Sequence, residues 1–303
     1  MKKYTNIGGQ ALIEGIMMRN GNKVSIVIRR SNGELVVEKQ TIPKLSGGIY
    51  KVPLIRGLFA LVSSMKVGIR ALTLSAKYFD EDAGVETEES KFDKTLRKIF
   101  GKRAEDAIIF FSMVTALLLA IGLFTALPTF IISLLRGQVS SPYTLSILEG
   151  ILKMIFFISY ILLISQMKDV RRVFQYHGAE HKTIHNIESG KELTVENARE
   201  FTTLHPRCGT SFLIFVLAIS ILIFSFITWS NIFLRIGLKI VLLPLVAGIS
   251  YEVLKLSGTK DNALLRAIAY PGLMMQKITT KEPDDEMLEA AIVAVKAITE
   301  DDE

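Results

Sequence analysis

The chain has 303 residues, with 36 Lys+Arg against 30 Asp+Glu and a net charge of +6. Half of it is hydrophobic, 22% is charged and the mean hydropathy is +0.37, so apolar and charged residues are segregated along the chain. That balance excludes a disordered chain and argues against one ordinary soluble domain. The single cysteine, Cys208, excludes an internal disulfide framework, a four-cysteine zinc site and a CxxC redox pair.

Residues 1–79 carry 13 Lys+Arg and 3 Asp+Glu. The N-terminal segment MKKYTNIGGQALIEG has no long apolar stretch, so no signal peptide is expected. The β-branched runs KVSIVIRR and ELVVEKQTI flank Ser31-Asn32-Gly33, and an Asn-Gly between two such runs predicts a β-hairpin over residues 22–42. A small β unit is therefore expected within residues 1–53. Residues 54–79 read as an amphipathic helix whose Lys66, Arg70 and Lys77 form a basic stripe. Such a helix suits an anionic bilayer surface, or else packs on other helices with its lysines in water. A poorly hydrophobic crossing helix is a third reading. Residues 80–106 begin with seven acids and one lysine over 80–93 and read as an acidic linker with an approach helix.

Residues 107–135 contain no charge, which predicts a transmembrane helix, kinked at Pro128. Residues 212–229 form a second apolar span ending in Trp229. Residues 145–165 and 232–251 are weaker spans, the first carrying Glu149 and Lys153, the second Arg235 and Lys239. A Glu149–Arg235 pair joining the two helices is the expectation for these charges, with a transport path and snorkelling as the alternatives. The 166–211 connection holds seven Lys/Arg, against one in 136–144 and none in 230–231. The positive-inside rule then places that connection and both termini in the cytoplasm. The expected fold is an α-helical integral membrane protein with four transmembrane helices, a small N-terminal β-hairpin unit and cytoplasmic helices.

All four histidines fall between 177 and 205, next to Cys208. His177, Glu180 and His181 make an H-x-x-E-H pattern, in which two histidines one helical turn apart hold Zn²⁺ and the glutamate serves as base. His177 and His181 are the expected ligands and Glu180 the expected catalytic base. His205, Cys208, Glu188 and Glu196 are the candidates for further ligands, with His205 and Cys208 favoured as an H-x-x-C pair. Gly178 between the ligands counts against a rigid helical pair. A polar cap without metal is the competing reading. The tail 252–303 is predicted to be helical, starting a last helix after Pro283 whose face Leu288, Ala291, Ile292, Val295 and Ile298 needs a partner in this chain or another.

The blocks GGQALIEGIMMR (8–19), YHGAEHKTIHNIESGKELTVENAR (176–199), HPRCGTSFL (205–213) and PGLMMQKITTKEPDDEMLEAAIVAVKA (271–297) resemble the YqhQ-type bacterial membrane proteins over nearly the whole chain. The resemblance implies a polytopic protein of the bacterial inner membrane. It places His177, Glu180, His181, His205 and Cys208 in that family's signature blocks, under the family label of predicted metal-dependent enzyme. In the first block Gly8-Gly9 would allow close backbone approach and Glu14 with Arg19 would cap the cytoplasmic site, but a tight turn and strand start is the reading preferred to a ligand role.

Two functions are expected from these residues. One is a hydrolase using Zn²⁺ or another divalent transition metal at the cytoplasmic face, on a substrate the sequence does not identify. The other is a non-enzymatic membrane factor that binds or stabilises other membrane proteins, with the 288–298 face as the candidate protein contact. The bilayer is the expected partner in both. Nothing suggests nucleic-acid binding, and the oligomeric state is left open.

Overall fold

The computed structural model describes residues 5–43, 48, 52–83, 98–101, 104–139, 141–227, 231–259 and 263–299. The chain divides into two compact units. Most of the acidic linker 80–93 and Trp229 lie outside the described residues.

The first unit comprises residues 1–83, 160–219 and 243–303. It is built on a four-stranded antiparallel sheet in the order β1 (Ile7–Leu12), β2 (Gly15–Asn20), β3 (Lys23–Arg29) and β4 (Leu35–Thr41). The β3–β4 hairpin turns at Gly33, with φ +85, and its residues pair from Lys23↔Thr41 to Arg29↔Leu35. The N-terminal unit is thus a sheet rather than a lone hairpin, because GGQALIEGIMMR supplies β1 and β2 through a tight turn with Glu14 at φ +48. The side chains of the central strands alternate between two buried faces. Ile16, Met18 and Val27 enter one core with α-helical residues such as Tyr176 and Leu288, while Met17, Val24, Ile26 and Ile28 enter a second with Val67 and Ala71. Burial on both faces explains why β2 and β3 read as continuous apolar runs.

Helix α1 (Ile55–Ala83) covers the second face. The unit also holds α5 (Lys168–Ser189), the short α6 (Val195–Arg199), α9 (Ala263–Thr279) and α10 (Asp285–Thr299), together with parts of the helices α4, α7 and α8 described below. Asp284 Oδ1 caps α10 by accepting from Met287 N–H at 2.9 Å. The apolar face of α10, Leu288, Ala291, Ile292, Val295 and Ile298, is buried against β2, β3 and α5. The partner this face requires is its own sheet, so it is not a free surface for another protein.

The second unit comprises residues 84–159 and 220–242. Its first long helix runs as α2 (Ala104–Ile121), a π-helical turn Gly122–Ala126, and α3 (Leu127–Ser133). Pro128 sits at the start of α3, and the wide turn before it accommodates the missing N–H and the ring. Helix α4 (Pro142–Ile164), α7 (Gly209–Ser225) and α8 (Ile232–Thr259) each divide between the two units. Glu149 of α4 stands among three cations: Lys153 at 2.9 Å, Arg235 at 3.1 Å, and Lys239 in direct contact. Thr129 of α3 donates to the same carboxylate at 2.8 Å. The expected Glu149–Arg235 contact is therefore one arm of a cluster of four charged residues and Thr129.

Among the described residues, four helices are long and apolar enough to cross a membrane: Ile55–Asp82, Ala107–Ser133, Tyr143–Ile164 and Phe233–Ser257. The span expected at 212–229 is a 17-residue helix, Gly209–Ser225, which starts earlier because Cys208 and Thr210 open it. Large apolar side chains such as Leu117, Leu118 and Leu119 are more than half exposed on α2, as lipid-facing residues are.

Candidate metal centre

His177, His181 and His185 sit on α5, which begins at Lys168 and stops at Gly190, whose φ of +76 is the left-handed close favoured by glycine; His205 lies in the loop before α7. Gly178 lies inside this helix because the carbonyl of Lys281 passes where a Cβ would stand. The residue that weakens the helix by propensity is the one that admits the 280–283 segment. That segment follows Thr279, whose carbonyl accepts from His177 Nδ1 at 2.8 Å.

His177, His181 and Cys208 each offer one ligand atom, and the three atoms lie within 4.8 Å of one another. The two imidazole rings are 4.4 Å apart between centroids. His177 Nε2 is 3.1 Å from Cys208 Sγ. His181 Nδ1 bonds to Thr203 O at 2.5 Å. Both Nδ1 atoms face carbonyl oxygens and so must carry the proton, which leaves both Nε2 lone pairs turned toward the thiol. His181 Nε2 is buried and makes no hydrogen bond of good geometry. A buried acceptor nitrogen without a donor is what a metal ligand presents to its ion. The donor set, two imidazoles and one thiol, suits zinc or a similar borderline-soft ion, with a fourth position to spare. The residues present fit such a metal.

The electrostatics agree. Burial pushes the His181 imidazole below its ordinary value, keeping it in the neutral, ligating form. Burial works to raise the Cys208 thiol, but His181, the Thr210 hydroxyl and the Thr210 amide outweigh it and hold the thiol below its usual value. The Thr210 N–H donates to Cys208 Sγ at 3.3 Å, at the start of α7. Glu180 is buried, and burial raises its carboxyl to about 7, opposed by the His177 imidazole and the Gly9 amide. Gly9 N–H donates to Glu180 Oε1 at 2.9 Å.

A second group gathers His185, Glu188 and His205. Its hydrogen bonds are of another kind. His205 Nδ1 accepts from Arg207 N–H at 3.3 Å, so its proton is on Nε2, which faces Glu188 at 3.8 Å. Glu188 is taken by the Arg207 guanidinium and by Thr5 N–H and Oγ1, each at 3.2 Å. Gln276 clamps the backbone of His205, accepting from its N–H at 2.7 Å and donating to its carbonyl at 2.8 Å. These bonds make the group a polar brace beside the first one, its ligand atoms likewise within 4.8 Å of one another.

The structure thus gathers three of the four expected metal ligands, His177, His181 and Cys208, and assigns His205 to the brace. Glu188 joins the brace as well, and Glu196 is exposed on α6. Glu14 pairs with Arg172, at 2.6 Å for one of the two contacts, and not with Arg19, whose Nε donates to Gly21 O at 2.8 Å. The residues that sequence reasoning did not find are Thr203 and Thr279, which act through backbone carbonyls and so leave no side-chain signature. Gly9 was expected to allow close backbone approach, and it does so beside Glu180, a partner the sequence did not name.

An N-terminal antiparallel sheet joined to membrane-length helices and a buried His/Cys/Glu cluster defines a class of membrane-associated protein. Residues 52–301 match a family described as "Protein of unknown function (DUF1385)". The chain is 33% identical over 297 residues to "Uncharacterized protein YqhQ" of Bacillus subtilis (strain 168), covering 94% of this chain and 89% of that protein. The chain belongs to this family, for which no enzyme function is established. No solved structure matches it.

Proposed function

We propose that the chain is a multi-pass protein of the bacterial cytoplasmic membrane in which His177, His181 and Cys208 hold a divalent transition metal, zinc by donor type. The single observation that carries this is the convergence of two tautomer-fixed Nε2 atoms on Cys208, one of them buried without a hydrogen-bond donor. When bound, the metal supplies Lewis acidity and an acidified water. Glu180, its carboxyl raised to about 7, would be the residue that holds or releases a proton there. Gly9 N–H fixes the orientation of that carboxylate, and the reaction class is hydrolysis at the cytoplasmic face. The seven Lys/Arg of 166–211 support the inward placement of the cluster and of both termini.

The test is metal content of the detergent-purified chain beside the His177→Ala/His181→Ala double variant. About one equivalent of zinc in the parent, lost in the folded variant, establishes the site. Hydrolytic screening beside Glu180→Gln then tests catalysis. A second reading draws on the depth of the donors: His181 is 1% and Cys208 8% exposed. Such burial favours a metal that staples α5 to the start of α7 in a membrane factor without catalysis. In that case Glu180→Gln leaves function intact.

A further inference from the structure

Helix α1 is long and apolar enough to cross a membrane, yet its surroundings forbid it. Its 29 residues span about 43 Å. Along the second half, Val67 and Ala71 are buried against Leu12, Met17, Val24, Ile26 and Ile28 of the sheet. Gly68 admits the Gln10 side chain, Ser75 Oγ donates to Ile13 O, and Asp82 accepts from Arg30 at 2.6 Å. The sheet is open, with β1 and β4 at its edges. An open sheet cannot lie in hydrocarbon, because its edge N–H and C=O groups would be unsatisfied there. The part of α1 from Val67 onward therefore stays outside the bilayer core. The 12 residues Ile55–Lys66 that remain reach about 18 Å, too short to cross.

The start of α1 is tied to the far end of α8. Gly57 packs on Tyr251, Gly248 approaches the Leu54 backbone, and Arg56 pairs with Glu252, its Nε donating at 2.7 Å. Since α8 is membrane-length, α1 begins where a crossing helix ends. On either side of the sheet contact α1 carries two exposed stripes. Met65, Leu72 and Phe79 follow one another at seven-residue spacing, with Val62 beside them, and are 52%, 41%, 43% and 54% exposed. Lys66, Arg70 and Lys77 run alongside, all exposed, and none forms an ion pair among the described residues. At 100° per residue the basic stripe is centred about 60° from Val62 on one side, and the Met65–Phe79 stripe lies on the other.

We infer that α1 lies in the headgroup layer of the bilayer, with Met65, Leu72 and Phe79 immersed and Lys66, Arg70 and Lys77 on anionic lipid phosphates. Charge complementarity selects this occupant: a basic stripe beside an apolar one fits an anionic lipid surface, whose attraction is about 1 kcal/mol per cation. The inference rests on the membrane reading of α8 and is independent of the metal. It makes α1 the element that presses the sheet, and hence Gly9 at its β1 edge, toward the membrane surface.

The experiment uses the full-length chain with Trp229→Phe and, one at a time, Met65→Trp, Leu72→Trp, Phe79→Trp or Val62→Trp, reconstituted in phosphatidylglycerol-rich vesicles. Each tryptophan is quenched by lipids brominated either near the carbonyls or near the chain ends. The expected result is equal quenching along the helix, strongest from the shallow bromines. Substituting Lys66→Gln, Arg70→Gln and Lys77→Gln together should weaken it in these vesicles and not in phosphatidylcholine. Deep quenching that peaks near Met65 and Leu72 and fades at Phe79 would mean a crossing helix and overturn the inference. No quenching at any of the four positions in the reconstituted chain would mean a helix held in water, and overturns it equally.

Discussion

The backbone N–H of Gly9 donates to the carboxylate of Glu180 across 171 residues of chain, at 2.9 Å. One bond thus joins the edge of the N-terminal sheet to the acid beside the proposed metal ligands. A Cβ on Gly9 would stand 2.6 Å from Met17 O, 2.8 Å from Met18 Sδ and 3.1 Å from Glu180 Cδ. Gly9→Ala is expected to cost about 1–3 kcal/mol of stability by overpacking. It should reduce activity while leaving metal content near that of the parent. Thermal unfolding and metal analysis of the same preparation check both parts.

Gly178→Ala should be more damaging, because its Cβ meets the backbone carbonyl of Lys281 rather than a flexible side chain. The displaced segment follows Thr279, the acceptor for His177 Nδ1. A drop in melting temperature together with weakened metal retention is the expected outcome. A variant that unfolds earlier but retains metal as tightly as the parent would show that the Thr279 contact does not orient His177.

Cys208→Ser exchanges a thiol whose surroundings lower its pKa below the usual value for a hydroxyl that does not ionise. Metal retention should fall sharply, while His205→Asn should leave it largely unchanged and cost stability instead, since His205 belongs to the brace with Glu188. Equal metal loss in the two variants would place His205 in the metal site.

In the metal-free protein Glu180 has a carboxyl raised from the ordinary value to about 7. A raised folded-state pKa means the native state binds the proton more tightly than the unfolded state. Stability is then greatest below pH 4 to 5 and declines as pH rises toward 7, by up to about 3 kcal/mol from this group. Chelator-treated Glu180→Gln should lack that component, so the difference between the two pH–stability curves isolates it.

The cluster around Glu149 predicts an asymmetry. Glu149→Gln leaves Lys153, Arg235 and Lys239 buried without their carboxylate, which is expected to cost about 3–5 kcal/mol. Lys239→Met removes one of three cations from the single carboxylate. It should cost far less, because Lys153 and Arg235 still face Glu149. Unfolding of the two variants in the same detergent tests the order.

The sequence by itself determined the elements whose signal is local. The charge-free run at 107–133 had to be a helix able to cross a membrane, and Asn32-Gly33 between β-branched runs had to turn. The spacing of His177 and His181 put two imidazoles on one helical face, since residues four apart are neighbours there. Asp284 ahead of an apolar periodicity marked the start of α10. What depended on distant parts of the chain was not legible. The ligand set was left open among His205, Cys208, Glu188 and Glu196, because hydrogen-bond tautomers, fixed by the carbonyls of Thr203 and Thr279, decide which imidazole faces which partner. The 288–298 face showed that it needed a partner, but only the fold shows that the partner is β2, β3 and α5. Helix α1 is apolar enough to cross a membrane by composition, and only the tertiary structure shows it docked on an open sheet. Composition fixes what a segment can do in isolation, and tertiary structure decided here which of those options the backbone polar groups of its neighbours permit.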